Sequence, residues 1–94
     1  MSEINGALSG LKIVACSTAQ AGTVPYMLMA DLGAEVIKIE TPGKGDNNRN
    51  SGFLEGEIGS FFETNNRGVK SLTLNLKSEK GQKILHSLIK DADV

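Results

Sequence analysis

Between positions 40 and 49 the chain sets Glu40, Lys44, Asp46 and Arg49 around Gly43 and Gly45. Charges of both signs among glycines, which let a ligand approach the backbone, suit recognition of a phosphate or another anion. Arg67 offers a further cation, although a Gly/Asn/Lys loop is as often a solvated turn, and both readings stay open. Glu40 closes an apolar run, a position from which carboxylates in nucleotide-binding folds reach a ribose. A strand-end Glu is more often simply hydrated, and Glu40 is read that way. The loop Ser-Thr-Ala-Gln-Ala-Gly at 17–22 consists of small and polar residues that could admit a phosphate or carbonyl to backbone N–H groups at the start of a helix. It does not fit G-x-G-x-x-G, and no segment fits G-x-x-x-x-G-K-[ST], so the dinucleotide fingerprint and the P-loop are both weak readings.

Other reactive residue types read as structural. His86 falls off the apolar stripe of its segment and belongs on the surface. As the single histidine it has no partner for a metal site, and Cys16, the single cysteine, has no C-x-x-C mate. No metal is expected. Cys16 ends a strand and reads as a small buried hydrophobe. Asp31 shares a helix face with Val24, Met27 and Leu28, which predicts a buried carboxylate bonded to nearby backbone N–H groups.

The elements that would position these groups alternate strand and helix. Residues 11–16 form a short apolar run broken by Lys12, and 24–32 suit a helix with Thr23 as N-cap and Pro25 in the first turn. Gly33 suits the left-handed position after a helix, and 35–40 make a second, Val/Ile-rich strand. A helix between two strands implies a right-handed parallel crossover, which opens the loops after Cys16 and Glu40 on one sheet edge. The stretch 41–58 is long for a structureless loop in so small a domain, which favours function. Residues 59–66 are expected to form a helical turn. Residues 70–76 alternate as a strand with Leu72, Leu74 and Leu76 on one face. Ser78 then caps a helix whose buried stripe is Ile84, Leu85, Leu88 and Ile89. Val94 looks like the first residue of another strand, so the sequence is expected to be a fragment.

Composition narrows the class. Ninety-four residues make at most one small domain with a marginal core, and scarce aromatics leave that core to aliphatic packing. A net charge of −1 gives no general pull toward nucleic acid or anionic membrane. One cysteine excludes an intramolecular disulfide and points to a reducing compartment, and neither a signal peptide nor a membrane span is recognisable. A cytoplasmic, soluble α/β protein is expected.

The segments Leu8-Ser9-Gly10-Leu11-Lys12-Ile13-Val14, Gln20-Ala21-Gly22 and the run from Ala30 to Glu40 occur in order with Pro42-Gly43, Gly45-Asp46, Arg49, Asn66-Arg67 and the run from Lys70 to Lys77. Together they resemble the N-terminal part of the class III CoA-transferases, a family that includes formyl-CoA and carnitine CoA-transferases and α-methylacyl-CoA racemases. The resemblance spans nearly the whole chain and implies that residues 1–94 are the N-terminal part of a CoA-binding, Rossmann-like parallel sheet with crossover helices. Family members are several times longer and form interlocked homodimers.

By that resemblance, Gln20, Ala21, Thr41 and the run Leu74, Asn75, Leu76 and Lys77 contact coenzyme A. Some members carry an Arg at the position of Thr41, and Lys44 or Arg49 is the expected substitute for its charge. The family reaction moves CoA from an acyl-CoA to a carboxylic acid. An Asp nucleophile attacks the thioester to give a mixed anhydride, then takes up the CoA thiolate. That Asp lies beyond the segment matched here, and none of Asp31, Asp46, Asp91 or Asp93 aligns with it. The chain is therefore expected to bind coenzyme and to be inactive alone, with no catalytic residue of its own. The alternatives are a racemase of the same family and, from another class, a stand-alone non-catalytic CoA- or nucleotide-binding module. Sequence beyond Val94 would discriminate: a nucleophilic Asp favours the enzyme, a stop the module.

Overall fold

A computed structural model of the chain describes residues 6–17, 22–43, 45, 46, 49, 54, 55, 58, 59 and 65–94. In order these form β1 (Lys12–Ala15), α1 (Val24–Asp31), β2 (Glu35–Glu40), β3 (Leu54–Glu55), β4 (Ile58–Gly59), β5 (Lys70–Thr73) and α2 (Glu79–Lys90). Strands β1, β2 and β5 make a parallel sheet in the order β1-β2-β5, with Ile13 opposite Val36 and Ile39 opposite Leu72. An α/β architecture with a parallel sheet is thus present. On the outer edge of β1, Asp93 N donates to Lys12 O (2.7 Å) and Val14 N to Val94 O (3.0 Å), so residues 93 and 94 lie alongside β1 without forming a strand.

The core lies between the sheet and α1, where Ile13, Ala15, Ala34 and Val36 are buried beneath Tyr26, Met29 and Ala30. Gly33 takes φ +106° as expected, and Ala34 N closes the helix end on Met29 O (3.1 Å). A side chain at Gly33 would also meet Ser9 Oγ at 2.9 Å. Ser78 caps α2 by accepting from Gly81 N (3.0 Å), with Glu79 in the first turn.

Five expectations are corrected. Thr23 occupies the N-cap of α1, but its hydroxyl makes no capping bond and its backbone is already helical (φ −117°, ψ −37°). Asp31 is exposed, because α1 turns Met27, Met29 and Ala30 inward and leaves Leu28 and Asp31 on the outer stripe. Its carboxylate pairs with Arg67 Nη2 (2.7 Å) instead of the backbone. Strand β5 stops at Thr73, where Asn75 turns the chain by accepting from Lys77 N through Oδ1 (3.1 Å) and from Ser78 N through its carbonyl (3.1 Å). The stretch 41–58 is not structureless, since β3 pairs antiparallel with β4; Gly59 belongs to that hairpin, whereas Asn65, at the far end of the expected helical turn, is helical. Residues 60–64 of the expected turn lie outside the described residues. Finally, the α2 stripe is only partly covered: Leu85 and Leu88 are half-buried, whereas Ile84 and Ile89 are 46% and 52% exposed.

Candidate functional site

Parallel strands end on one edge, and the ends of all three meet at a cleft of about 380 Å³. Cys16 follows β1, Ile39 to Pro42 close β2 and enter the next turn, Gly45 and Asp46 complete that turn, and Leu74 to Lys77 follow β5. The family resemblance implied a ligand role for Thr41, Leu74, Asn75, Leu76 and Lys77, and the fold brings these five together although more than thirty positions separate Thr41 from Leu74. Gln20, Ala21 and Lys44 lie outside the described residues. Cys16 is exposed at this cleft, contrary to the buried hydrophobe expected, because β1 ends one residue earlier and the chain turns out of the sheet.

The wall between β2 and the following turn is built on Glu40. Expected to be hydrated, Glu40 is instead 5% exposed and accepts four hydrogen bonds from three partners besides its own strand neighbours. Arg49 grips it with both ends of a fork, Nε to Oε1 at 2.8 Å and Nη2 to Oε2 at 2.6 Å. The Ser71 hydroxyl donates to Oε2, and Asp46 N donates to Oε1 at 2.9 Å. The Arg49 hydrogen bonds hold the Glu40 carboxyl at about 2, below its ordinary 4.5; burial works against this, and Ser71 and Asp46 N–H reinforce it. Arg49 is held correspondingly more basic by the same contact. The guanidinium therefore serves a structural ion pair, and it also borders a smaller polar hollow of about 190 Å³ with Thr41, Gly43, Ser71 and Thr73.

Two positions earlier on the same face of β2, Lys38 is 2% exposed. Its ammonium donates to the fully buried Asp46 carboxylate and to Asn66 Oδ1 (2.8 Å). Gly45 allows the turn to pass this close, at φ +66°; a Cβ there would lie 2.6 Å from Glu40 Oε1 and 3.0 Å from Arg49 Nε. The two carboxylates bordering the cleft are thus each matched by a cation, so the wall carries no uncompensated negative charge toward an anionic ligand. Sequence reasoning missed Lys38 and Ser71. The available signal was the pair Lys38 and Glu40, two residues apart on the same face as Val36, since buried charges need partners.

Arg67 is used on the far side of α1 by Asp31, and His86 is exposed on α2, as expected. Among the described residues no group of three or more His, Cys, Asp or Glu could hold a metal ion, and no helix is long and apolar enough to cross a membrane.

A family model described as CoA-transferase family III matches residues 8–94. Succinyl-CoA:glutarate CoA-transferase of Homo sapiens is 42% identical over 89 residues, an alignment covering 93% of this chain and 20% of that protein. Acetyl-CoA:oxalate CoA-transferase of Acetobacter aceti is 37% identical, with 95% of this chain and 23% of that protein covered. Among solved structures, a CAIB/BAIF family protein from Brucella suis superposes with a TM-score of 0.87 at 37% identity, over 96% of this chain and 25% of that one. The chain spans about a fifth to a quarter of the length of these relatives.

Proposed function

The chain belongs to CoA-transferase family III, and from that premise we infer that it supplies the N-terminal coenzyme-binding part of an enzyme moving CoA from an acyl-CoA to a carboxylic acid. The observation that carries this reading is the cleft at the carboxyl edge of the sheet, where ligands of open α/β folds bind and where Thr41 and Leu74 to Lys77 converge. Ile39, Pro42, Leu74 and Leu76 offer apolar surface there, while Asn75, Thr41 and Lys77 offer polar contacts, a mixture suited to a nucleotide with a long pantetheine arm. In this reading Gln20 and Ala21 contact the coenzyme from the loop after β1, and Arg49 meets a coenzyme phosphate from the hollow beside Thr41. The named relatives are transferases, which favours transfer over racemisation. The same reading has the parent enzyme act as a homodimer in the cytoplasm.

Transfer itself is assigned to an Asp outside this chain. Among the described residues, Asp46 holds Lys38, Asp31 holds Arg67, and Asp93 accepts from Lys12 N (2.9 Å). The chain's own residues bind and orient the thioester, which shortens the search for the nucleophile but breaks no bond.

Titrating the 15N-labelled chain with CoA tests this. Amide signals of Gln20, Ala21, Thr41 and Leu74 to Lys77 are expected to shift together while that of His86 stays in place. A spectrum unchanged at saturating CoA would overturn the reading.

A further inference from the structure

We propose that Lys38 is a positioning residue for the coenzyme cleft, acting through Asp46 to set the shape of the 41–46 turn. The inference rests on the coenzyme reading given above and adds what fixes that site's geometry.

The turn leaves β2 at Glu40 and comes back to it. Asp46 N donates to Glu40 Oε1 at 2.9 Å, so the carboxylate at the start of the turn holds the backbone at its end. The Asp46 side chain points the other way along the strand, where the Lys38 ammonium takes it in a buried pair. One residue is therefore gripped twice, by main chain and by side chain, from two positions on one strand. Between the grips lie Thr41, Pro42 and Gly45, which with Glu40 and Asp46 make the β2 side of the cleft. Gly43 and Gly45 take positive φ values of +88° and +66°, so the intervening backbone has glycine freedom and gains its single shape from the anchors. Asn66 Oδ1 accepts from Lys38 at 2.8 Å, which fixes the ammonium from the β5 side and ties the turn to the segment leading into the third strand.

Lys38 is almost wholly buried and is absent from the residues bordering the cleft, so it does not reach a ligand there itself. Of Asp46 and Asn66, only Asp46 borders the cleft, so the influence of Lys38 there passes through Asp46. A buried ion pair contributes little net stability against an apolar pair of similar volume, yet breaking it from one side is costly, and this difference separates a positioning role from a purely structural one.

The test uses three forms of the chain, the unsubstituted protein, Asp46→Asn, and Asp46→Asn combined with Lys38→Met, each followed by urea unfolding and by titration with CoA. In Asp46→Asn the buried ammonium loses its carboxylate, so both stability and CoA affinity are expected to fall, the affinity by about tenfold. The double variant removes the buried charge as well. Its stability is expected to recover toward that of the unsubstituted chain, while its CoA affinity stays about tenfold down because the turn has lost its side-chain anchor and keeps only the main-chain bond to Glu40. Amide signals of Gly43 and Gly45 are expected to broaden or move in both variants. Recovery of affinity along with stability in the double variant would show that Lys38 serves folding alone and would overturn the proposal. So would unchanged affinity in both variants. Absence of CoA binding by the unsubstituted chain would instead overturn the coenzyme-site reading, and this proposal with it.

Discussion

Replacing Glu40 by Gln keeps the side chain's length and removes the charge that Arg49 chiefly, with Ser71 and Asp46 N–H, favours. The folded chain holds this carboxyl at about 2, below its ordinary 4.5. Each pKa unit corresponds to about 1.4 kcal/mol, so the ionised form is favoured by about 3 kcal/mol in the folded state. The Arg49 side chain is 30% exposed and shares its field with water, which brings the expected effect to about 2–3 kcal/mol. Because the folded value is depressed, this contribution is complete above about pH 4.5 and disappears as pH falls through about 2. At pH 7, Glu40→Gln should therefore unfold about 2–3 kcal/mol more easily than the parent, with the gap shrinking below pH 4.5 and nearly closed at pH 2. Urea unfolding followed by far-ultraviolet circular dichroism, in constant sucrose because so small a chain has little reserve, reads this directly. Other carboxylates are common to both proteins and cancel. Equal stability at pH 7, or a gap as large at pH 2 as at pH 7, would refute the assignment of the Arg49–Glu40 pair as the main electrostatic anchor.

Asp31→Asn should cost less than about 1 kcal/mol, since both partners of the Arg67 pair are well exposed, and a larger loss in the same unfolding assay would contradict that reading. With Leu28, Leu32, Ile84, Ile89 and Val94 all about half exposed, the chain alone should self-associate with rising concentration or melt without sharp cooperativity; sedimentation velocity showing a monomer with a steep, stable transition would refute this. Incubated with acyl-CoA and a labelled carboxylic acid, the chain should transfer no CoA and gain no mass. A stable thioester on any of its Asp or Glu residues would refute the assignment of the nucleophile to another segment.

Much of the fold was legible because local chemistry and tertiary environment agree. The Val/Ile run of β2 fell on its observed bounds, Gly33 took its left-handed turn, and Ser78 capped α2, each being a choice that sequence neighbours alone decide. The alternation through Leu72 and Leu74 also placed the β5 face correctly, though not where the strand ends. That end is set by the Asn75 turn, whose side chain competes with the strand ladder for backbone N–H groups. The edge that gathers the cleft was legible too, because parallel crossover topology puts the ends of all strands on one side.

What stayed hidden was every feature in which a charged residue finds a distant partner. Glu40 read as hydrated, Lys38 was passed over and Asp46 was read only as part of a polar loop, since burial of any one charge alone would be prohibitive. Burial becomes affordable only when all arrive together: Lys38 with Asp46, Glu40 with Arg49 and Ser71, from two strands and the intervening turn. Asp31 failed in the opposite direction, because its helix face was assigned from Met27 and Leu28 without knowing which of the two the sheet would take. The sheet took Tyr26, Met29 and Ala30, and Met27 is buried as well, which left Leu28 and Asp31 outside. In this chain hydrophobic periodicity decides where the backbone goes, whereas the wall of the cleft is decided by charge pairs that no single periodicity encodes. The edge that holds the cleft is therefore predictable from topology, and its detailed shape depends on long-range partners such as Asp46, which a sequence pattern does not pair with Lys38 until the turn has closed.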